Sequence, residues 1–163
     1  MMVLSKYRTI PREDASYIAG FFDGDGSVRL QLQPRTSSRT GFRVRTIISF
    51  AQKTGHDKSL KWIQKKLGIG YIYNRPDSMT ELKIEGFESV ERILTILRPF
   101  VLFKKKHVNL VLKAIKVLRK NPVNIIKIAE ISDEISDINY ATTKKRYTTK
   151  FVKEFMSRHP RND

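Results

Sequence analysis

The ten residues Tyr17-Ile18-Ala19-Gly20-Phe21-Phe22-Asp23-Gly24-Asp25-Gly26 constrain this chain more than any other stretch. Ala15, Ile18, Ala19 and Phe22 recur at i, i+3, i+4 and i+7, an apolar stripe of 3.6-residue period. Tyr17, Gly20, Phe21 and Gly24 repeat that spacing beside it, so the pattern predicts a short helix with two faces to bury. A glycine in a helix interior costs about 1 kcal/mol against alanine. Two of them, four residues apart, imply that another backbone must come close. Gly26 is expected to end the helix as a C-terminal glycine.

Asp23 and Asp25 then stand where the helix dipole disfavours negative charge, a cost that nearby cations would offset. A calcium-binding EF-hand loop is excluded. Counted from Asp23, Val28 stands where that loop needs its glycine and Pro34 where it needs its glutamate. Asp-Gly-Asp-Gly taken alone reads better as a solvated turn than as a metal site, because so short a motif arises often by chance.

The rest of the composition narrows the partner. A 163-residue chain with 40% apolar residues predicts one globular domain over residues 1–163, with 1–8 and 157–163 frayed. Thirty-two Lys and Arg against 16 Asp and Glu leave a net charge of +16. Such a balance calls for a polyanion, nucleic acid ahead of an anionic membrane surface. No apolar run reaches the ~18 residues of a membrane span, and the N-terminus lacks a signal-peptide core. The absence of cysteine excludes disulfides and, with only three histidines, argues against structural zinc.

Along the chain, Pro11 with Glu13 and Asp14 marks a first helical turn. Val28, Leu30 and Leu32 alternate with Arg29, Gln31 and Gln33, and Val44, Thr46, Ile48 and Phe50 with Arg43, Arg45, Ile47 and Ser49. Both are period-two patterns of half-buried strands. Residues 58–67 read as an amphipathic helix stopped by Gly68. A hairpin follows, Tyr71 to Arg75 and then Leu82 and Ile84, turning at Pro76-Asp77-Ser78. Helices are expected over 89–97, through Val108 to Leu118, from Val123 to about Tyr140, and in the basic tail after 144. The order α-β-β-α-β-β-α predicts an α+β fold: a four-stranded antiparallel sheet with helices on one face, and extra C-terminal helices.

The open face of that sheet carries the charge. Between Gly26 and Arg75 there are eleven Lys or Arg and a single acid, Asp57. A merely solvated surface mixes signs. Arginine reads guanine and glutamine reads adenine, and a two-stranded ribbon can enter the major groove. Arg29, Gln31, Gln33 and Arg35, spaced two apart, are therefore expected to meet bases and phosphates.

The decapeptide, with Phe50-Ala51-Gln52-Lys53-Thr54, Pro99 to Lys106 and Asn109 to Lys113, resembles the LAGLIDADG homing endonucleases over residues 15–118. One motif copy places it with the single-motif, homodimeric branch. The resemblance implies a dimer packed through Tyr17, Gly20, Phe21 and Gly24. It also implies a Mg²⁺ site at Asp25 and the Gly24 carbonyl, with Ca²⁺ supporting binding without cleavage. Gln52 would order water at the cleavage centre, Lys104 would support it electrostatically, and Lys106 would touch phosphate. The DNA-reading positions implied are Arg29, Gln31, Gln33, Arg35, Arg43, Arg45, Ser49, Tyr73, Arg75, Glu81 and Lys83. His56 departs from the pattern, standing where the family has an arginine.

The reading is an intron-encoded, Mg²⁺-dependent DNA endonuclease with catalytic residues Asp25, Gln52 and Lys104. It is expected to make a staggered double-strand break in a long pseudo-palindromic duplex as a homodimer. Neither a membrane nor a small molecule is its partner. Its place is inside the cell, with the DNA of its host intron, in an organelle or a nucleoid. The alternative is a non-catalytic nucleic-acid binder on the same scaffold, a transcription factor or an intron-RNA splicing maturase. A pure binder has no need of Asp25, Gln52 and Lys104 together. A basic ribosome-associated protein would scatter its charge over its helices.

Overall fold

A computed structural model describes residues 9–139 and 147–160 of the chain. The elements in order are α1 (Arg12–Asp25), β1 (Gly26–Pro34), β2 (Phe42–Lys53), α2 (Lys58–Leu67), β3 (Tyr71–Asn74), β4 (Met79–Glu85), α3 (Phe87–Leu97), α4 (Lys105–Lys120), α5 (Ile125–Asp137) and α6 (Thr149–Arg158). The strands form one sheet in the order β1-β2-β4-β3. The α+β order read from the periodicities is the one observed. The fraying expected at 1–8 lies outside the described residues; at the other end α6 runs on through Arg158. α5 stops at Asp137 and begins at Ile125, where the Asn124 side chain accepts the Lys127 N–H and caps the first turn.

By its contacts the chain divides into two compact units. One comprises the chain up to Val28 together with Ile47–Lys105, the other Arg29–Thr46 and the chain from Lys106 onward.

In the first unit β2 pairs antiparallel with β4, Ile48 opposite Ile84 and Phe50 opposite Leu82, and β4 pairs with β3, Leu82 opposite Ile72. Residues opposite one another share a face. Ile48, Phe50, Leu82 and Ile84 therefore project together, and all four are buried. α2 and α3 pack on β4, and α1 on α3. From α1, Ala15, Ile18, Ala19 and Phe22 enter this core, and the Phe22 ring meets Phe50 edge-on at 6.0 Å. The second stripe of α1 stays outside: Tyr17 is 67% exposed, Gly20 and Gly24 are exposed, and Phe21 is half-buried.

Gly26 does not adopt the left-handed conformation expected of a C-terminal glycine. It is extended, at φ −101° and ψ 165°. The position needs glycine for a different reason, since a Cβ there would lie 2.6 Å from the Phe22 ring and 2.8 Å from its backbone. The chain turns from α1 into β1 hard against Phe22, and that close turn leaves Asp25 at the surface where helix and strand meet.

In the second unit, Leu30 and Leu32 of β1 and Phe42 of β2 are buried, as are Val108, Val111, Ala114 and Ile115 of α4 and Ile128, Ala129 and Ile131 of α5. The Ser132 hydroxyl of α5 donates to the Leu30 carbonyl at 3.3 Å.

Candidate active site and nucleic-acid interface

The C-terminal end of α1 gathers four side chains of the first unit. Asp25, exposed, accepts a hydrogen bond from the Gln52 amide at 2.7 Å. Gln52 pairs opposite Thr80 two positions beyond the Phe50–Leu82 pair, so it lies on the helix-bearing face of β2, where it reaches the helix end. Lys104 comes from the segment after α3. Its ammonium donates to the carbonyls of Phe22 at 3.0 Å, Asp23 at 2.6 Å and Gly24 at 3.5 Å. A cation on the last carbonyls of a helix satisfies their unpaired lone pairs and offsets the acids there. Burial lowers the Lys104 pKa, and the charges of Asp23 and Asp25 oppose that shift.

The Asp23 carboxylate has partners of its own. It accepts the backbone N–H groups of Leu102, at 2.7 Å, and Lys104, at 3.0 Å. It is a structural clamp that fixes the segment carrying Lys104, a role that the bare motif does not disclose. Replacing Asp23 by alanine leaves two amides without their charged acceptor, a loss of about 2 kcal/mol for bonds to ionised groups. A fall in Tm of about 4–8 °C is expected for a chain of this size. Asp25→Ala should leave Tm unchanged, because an exposed acid at a helix C-terminus is itself unfavourable. Calorimetry of the two variants side by side checks the contrast.

Asp25 and the Gly24 carbonyl offer hard oxygen donors. Among the described residues no three His, Cys, Asp or Glu side chains gather as a metal cage. Mg²⁺ does not need one, since it is usually held by one or two carboxylates and completes its shell with water and substrate phosphate. The donor set fits that ion. His56 is exposed after β2, its backbone N–H bonded to the Lys53 carbonyl at 2.9 Å.

The open face divides by exposure. In the first unit Ser49 lies opposite Lys83, Tyr71 also opposite Lys83, and Tyr73 opposite Glu81. Ser49 and Glu81 are buried, at 5% and 4%. The Ser49 hydroxyl pairs with that of Ser27 at 2.8 Å. Glu81 accepts from the Tyr73 hydroxyl and faces Arg75 at 3.8 Å, while Arg75 also bonds Asp77. The Lys83 ammonium lies 4.8 Å from the centre of the Tyr73 ring, and its hydrogen bond with Tyr73 raises its pKa. Tyr71 joins the face without having been expected there, although it stands two positions before Tyr73 and hence on the same side. It is exposed, bonds Glu85 at 3.3 Å, and has its pKa raised by burial and then by Glu85.

In the second unit, Arg29 and Gln31 are half-buried and Gln33 and Arg35 exposed along β1 and its end. Arg43 is exposed and Arg45 half-buried on β2. These alternate with the buried Leu30, Leu32 and Thr46, as the period of two requires. Lys106 is exposed on the first turn of α4. No helix among the described residues is long and apolar enough to cross a membrane.

The profile of the LAGLIDADG endonuclease family matches residues 18–118. DNA endonuclease I-CreI of Chlamydomonas reinhardtii is 31% identical over 137 residues, spanning 82% of this chain and 83% of that protein. DNA endonuclease I-CvuI of Chlorella vulgaris is 32% identical over 122 residues, spanning 74% and 76%. A crystal structure of I-CvuI in complex with the I-CreI target in the presence of Mg, with the DNA not cleaved, superposes with a TM-score of 0.85 at 27% identity, covering 94% of this chain and 100% of that one. The archaeal intron-encoded homing endonuclease I-Vdi141I complexed with DNA shares the fold, with a TM-score of 0.79 at 16% identity over 90% and 96%. The chain belongs to the LAGLIDADG endonuclease family.

Proposed function

We propose that this protein is an intron-encoded homing endonuclease that cuts both strands of a long, nearly palindromic DNA site as a homodimer, with Asp25, Gln52 and Lys104 as its cleavage centre. The observation that carries this reading is the meeting of those three side chains at the end of α1. A protein that only bound nucleic acid would gain nothing from it. Family membership supports double-stranded DNA as substrate and Mg²⁺ as cofactor, with Ca²⁺ sustaining binding alone. Location follows the host DNA, an organelle or a prokaryotic nucleoid.

Asp25 and the Gly24 carbonyl would hold Mg²⁺. When bound, the ion supplies the Lewis acidity that phosphodiester hydrolysis requires at neutral pH. The Gln52 amide, donating to the Asp25 carboxylate, keeps it in one orientation. Lys104 places a positive charge behind the carboxylate, close to where negative charge builds on the phosphate. Lys106 binds a phosphate and helps set the register of the duplex. No side chain here has to act as a strong base.

Arg29, Gln31, Gln33, Arg35, Arg43 and Arg45 read bases and phosphates, with Tyr73, Arg75 and Lys83 on the other strands. Ser49 and Glu81, being buried, act largely through Ser27, Tyr73 and Arg75, which they hold. A double Arg29→Ala, Gln31→Ala variant should lose discrimination at the positions those side chains read, about 1–3 kcal/mol per good contact. Lys65→Ala should weaken binding slightly and evenly. An unaltered site profile in the double variant would remove these residues from the reading surface. The activity itself is tested with plasmids carrying or lacking the host intron's insertion sequence, with and without Mg²⁺. Cutting confined to the first plasmid, in Mg²⁺, is expected; no cutting there would refute the proposal.

A further inference from the structure

We infer that Phe155 of α6 is a positioning residue for DNA specificity: its ring braces the β1–β2 loop at Gly41 and Phe42 and so sets the aim of Arg35, Arg39 and Arg43. This rests on the DNA-reading role of that strand pair proposed above. The loop closes on itself. The Arg35 N–H donates to the Gly41 carbonyl at 2.8 Å, and the Ser38 hydroxyl donates to the carbonyls of Arg35 at 2.9 Å and Phe42 at 3.0 Å. Thr40 Oγ1 donates to the Phe42 carbonyl at 2.8 Å. These bonds settle the shape of the loop but run only within it and to Phe42. They leave its tilt to be decided by whatever packs against it.

Phe155 packs against it. Its ring meets the buried Phe42 edge-on, with centroids 5.0 Å apart and an interplanar angle of 68°. Gly41 has φ +74°, and a Cβ there would lie 2.8 Å from Phe155 Cε1, so backbone and ring are as close as glycine allows. The ring has little room to swing. His159 stacks on it at 4.5 Å, Phe151 stacks from the other side at 6.3 Å, and Tyr147 meets Phe151 at 5.3 Å. Residues four apart line one side of a helix, so these rings form a ladder along α6. The ladder has its own footing. Val152 is fully buried, Asp133 of α5 accepts both the N–H of Thr149 at 2.9 Å and its hydroxyl at 2.6 Å, and Thr148 caps the helix at the Phe151 N–H.

The arginines concerned lie at both edges of this contact, Arg35 and Arg39 in the loop and Arg43 next to Phe42. Hydrogen bonds to base edges and phosphates weaken steeply with small changes in distance and angle. A loop that tilts by an ångström therefore loses discrimination while its charge, and hence its general attraction for DNA, is kept. The positions affected are those that Arg35, Arg39 and Arg43 read.

The test starts from wild-type protein with Mg²⁺ and a library of randomised duplex DNA, the cleaved members being sequenced. Phe155→Ala, Phe155→Leu and His159→Ala are profiled on the selected site, with amide hydrogen exchange measured over residues 35–42. For Phe155→Ala we expect discrimination at the positions read by Arg35, Arg39 and Arg43 to fall about tenfold, the size of one good base contact. The remaining positions and kcat on the optimal site should stay within about twofold. Exchange over the loop should quicken, and Phe155→Leu should recover most of the loss. If Phe155→Ala does not fold, His159→Ala, which frees one side of the ring, should show the same pattern at smaller size. A profile that is unchanged, or weakened evenly at all positions, overturns the inference. If wild type cleaves nothing in the library, the endonuclease reading fails by itself, and unchanged exchange over 35–42 in the variants would overturn the brace separately.

Discussion

Replacing Asp25 by asparagine is expected to reduce cleavage to background, by at least about a thousandfold, while DNA binding survives. The substitution keeps the size of the side chain and its bond with Gln52, which reaches the carboxylate at 2.7 Å. What it removes is the negative charge that, in the proposed mechanism, would hold Mg²⁺ beside the Gly24 carbonyl. Lewis-acid stabilisation is worth several kcal/mol, and about 1.4 kcal/mol is a factor of ten in rate. Affinity should hold or improve, because an exposed carboxylate no longer faces phosphate when metal is absent. Asp23→Asn should behave otherwise. It weakens the bonds to the N–H groups of Leu102 and Lys104, so it should cost stability first and activity through that. Gel-shift affinity in Ca²⁺ or EDTA and cleavage in Mg²⁺ separate the two. An Asp25→Asn protein cutting near the wild-type rate would remove the centre of the mechanism.

The second large effect is expected at Gly20. In the single chain a Cβ at Gly20 or Gly24 meets nothing within 4 Å, and both residues are exposed. Gly20→Leu should therefore fold at least as well as wild type, since it removes a helix-interior glycine worth about 1 kcal/mol. If Tyr17, Gly20, Phe21 and Gly24 form the contact between two copies, the same leucine must clash there. Overpacking costs about 1–3 kcal/mol per site, and two-fold symmetry applies it twice. The dimer should weaken by roughly 30-fold to 10⁴-fold, with activity lost in proportion. Sedimentation and a thermal melt, run on the same protein, measure both effects. A folded but monomeric protein, with a Tm no higher than that of the dimeric wild type, is the expected pair; a Gly20→Leu protein that dimerises like wild type refutes the interface.

Much of this molecule is legible in the sequence because its elements advertise themselves locally. The stripe Ala15, Ile18, Ala19 and Phe22 is a property of one helix, and the alternation around Leu30 and Ile48 is a property of single strands. Both follow from helix and strand periods acting on neighbours in the chain. The gathering of basic residues on one side of the sheet needs no more than that. Gln52 and Lys104 enter only through resemblance to a family, since nothing in their own surroundings sets them apart from a surface glutamine and a basic run.

What the tertiary structure alone decides are pairings across long stretches of chain. Asp23 is spoken for by amides 79 and 81 residues away, which is why two acids two positions apart in one motif have different work. Lys104 reaches the end of α1 from a segment that the same Asp23 holds by two backbone amides. Gly26 is required by the Phe22 ring rather than by a left-handed turn. Ser49 and Glu81 sit on the open face of the sheet yet are buried, and each is hydrogen-bonded to a neighbouring strand. α6, a basic tail by composition, owes its place to Phe42, Gly41 and Asp133. Periodicity says which way a side chain points along its own element; which distant group waits there is settled only when the elements pack.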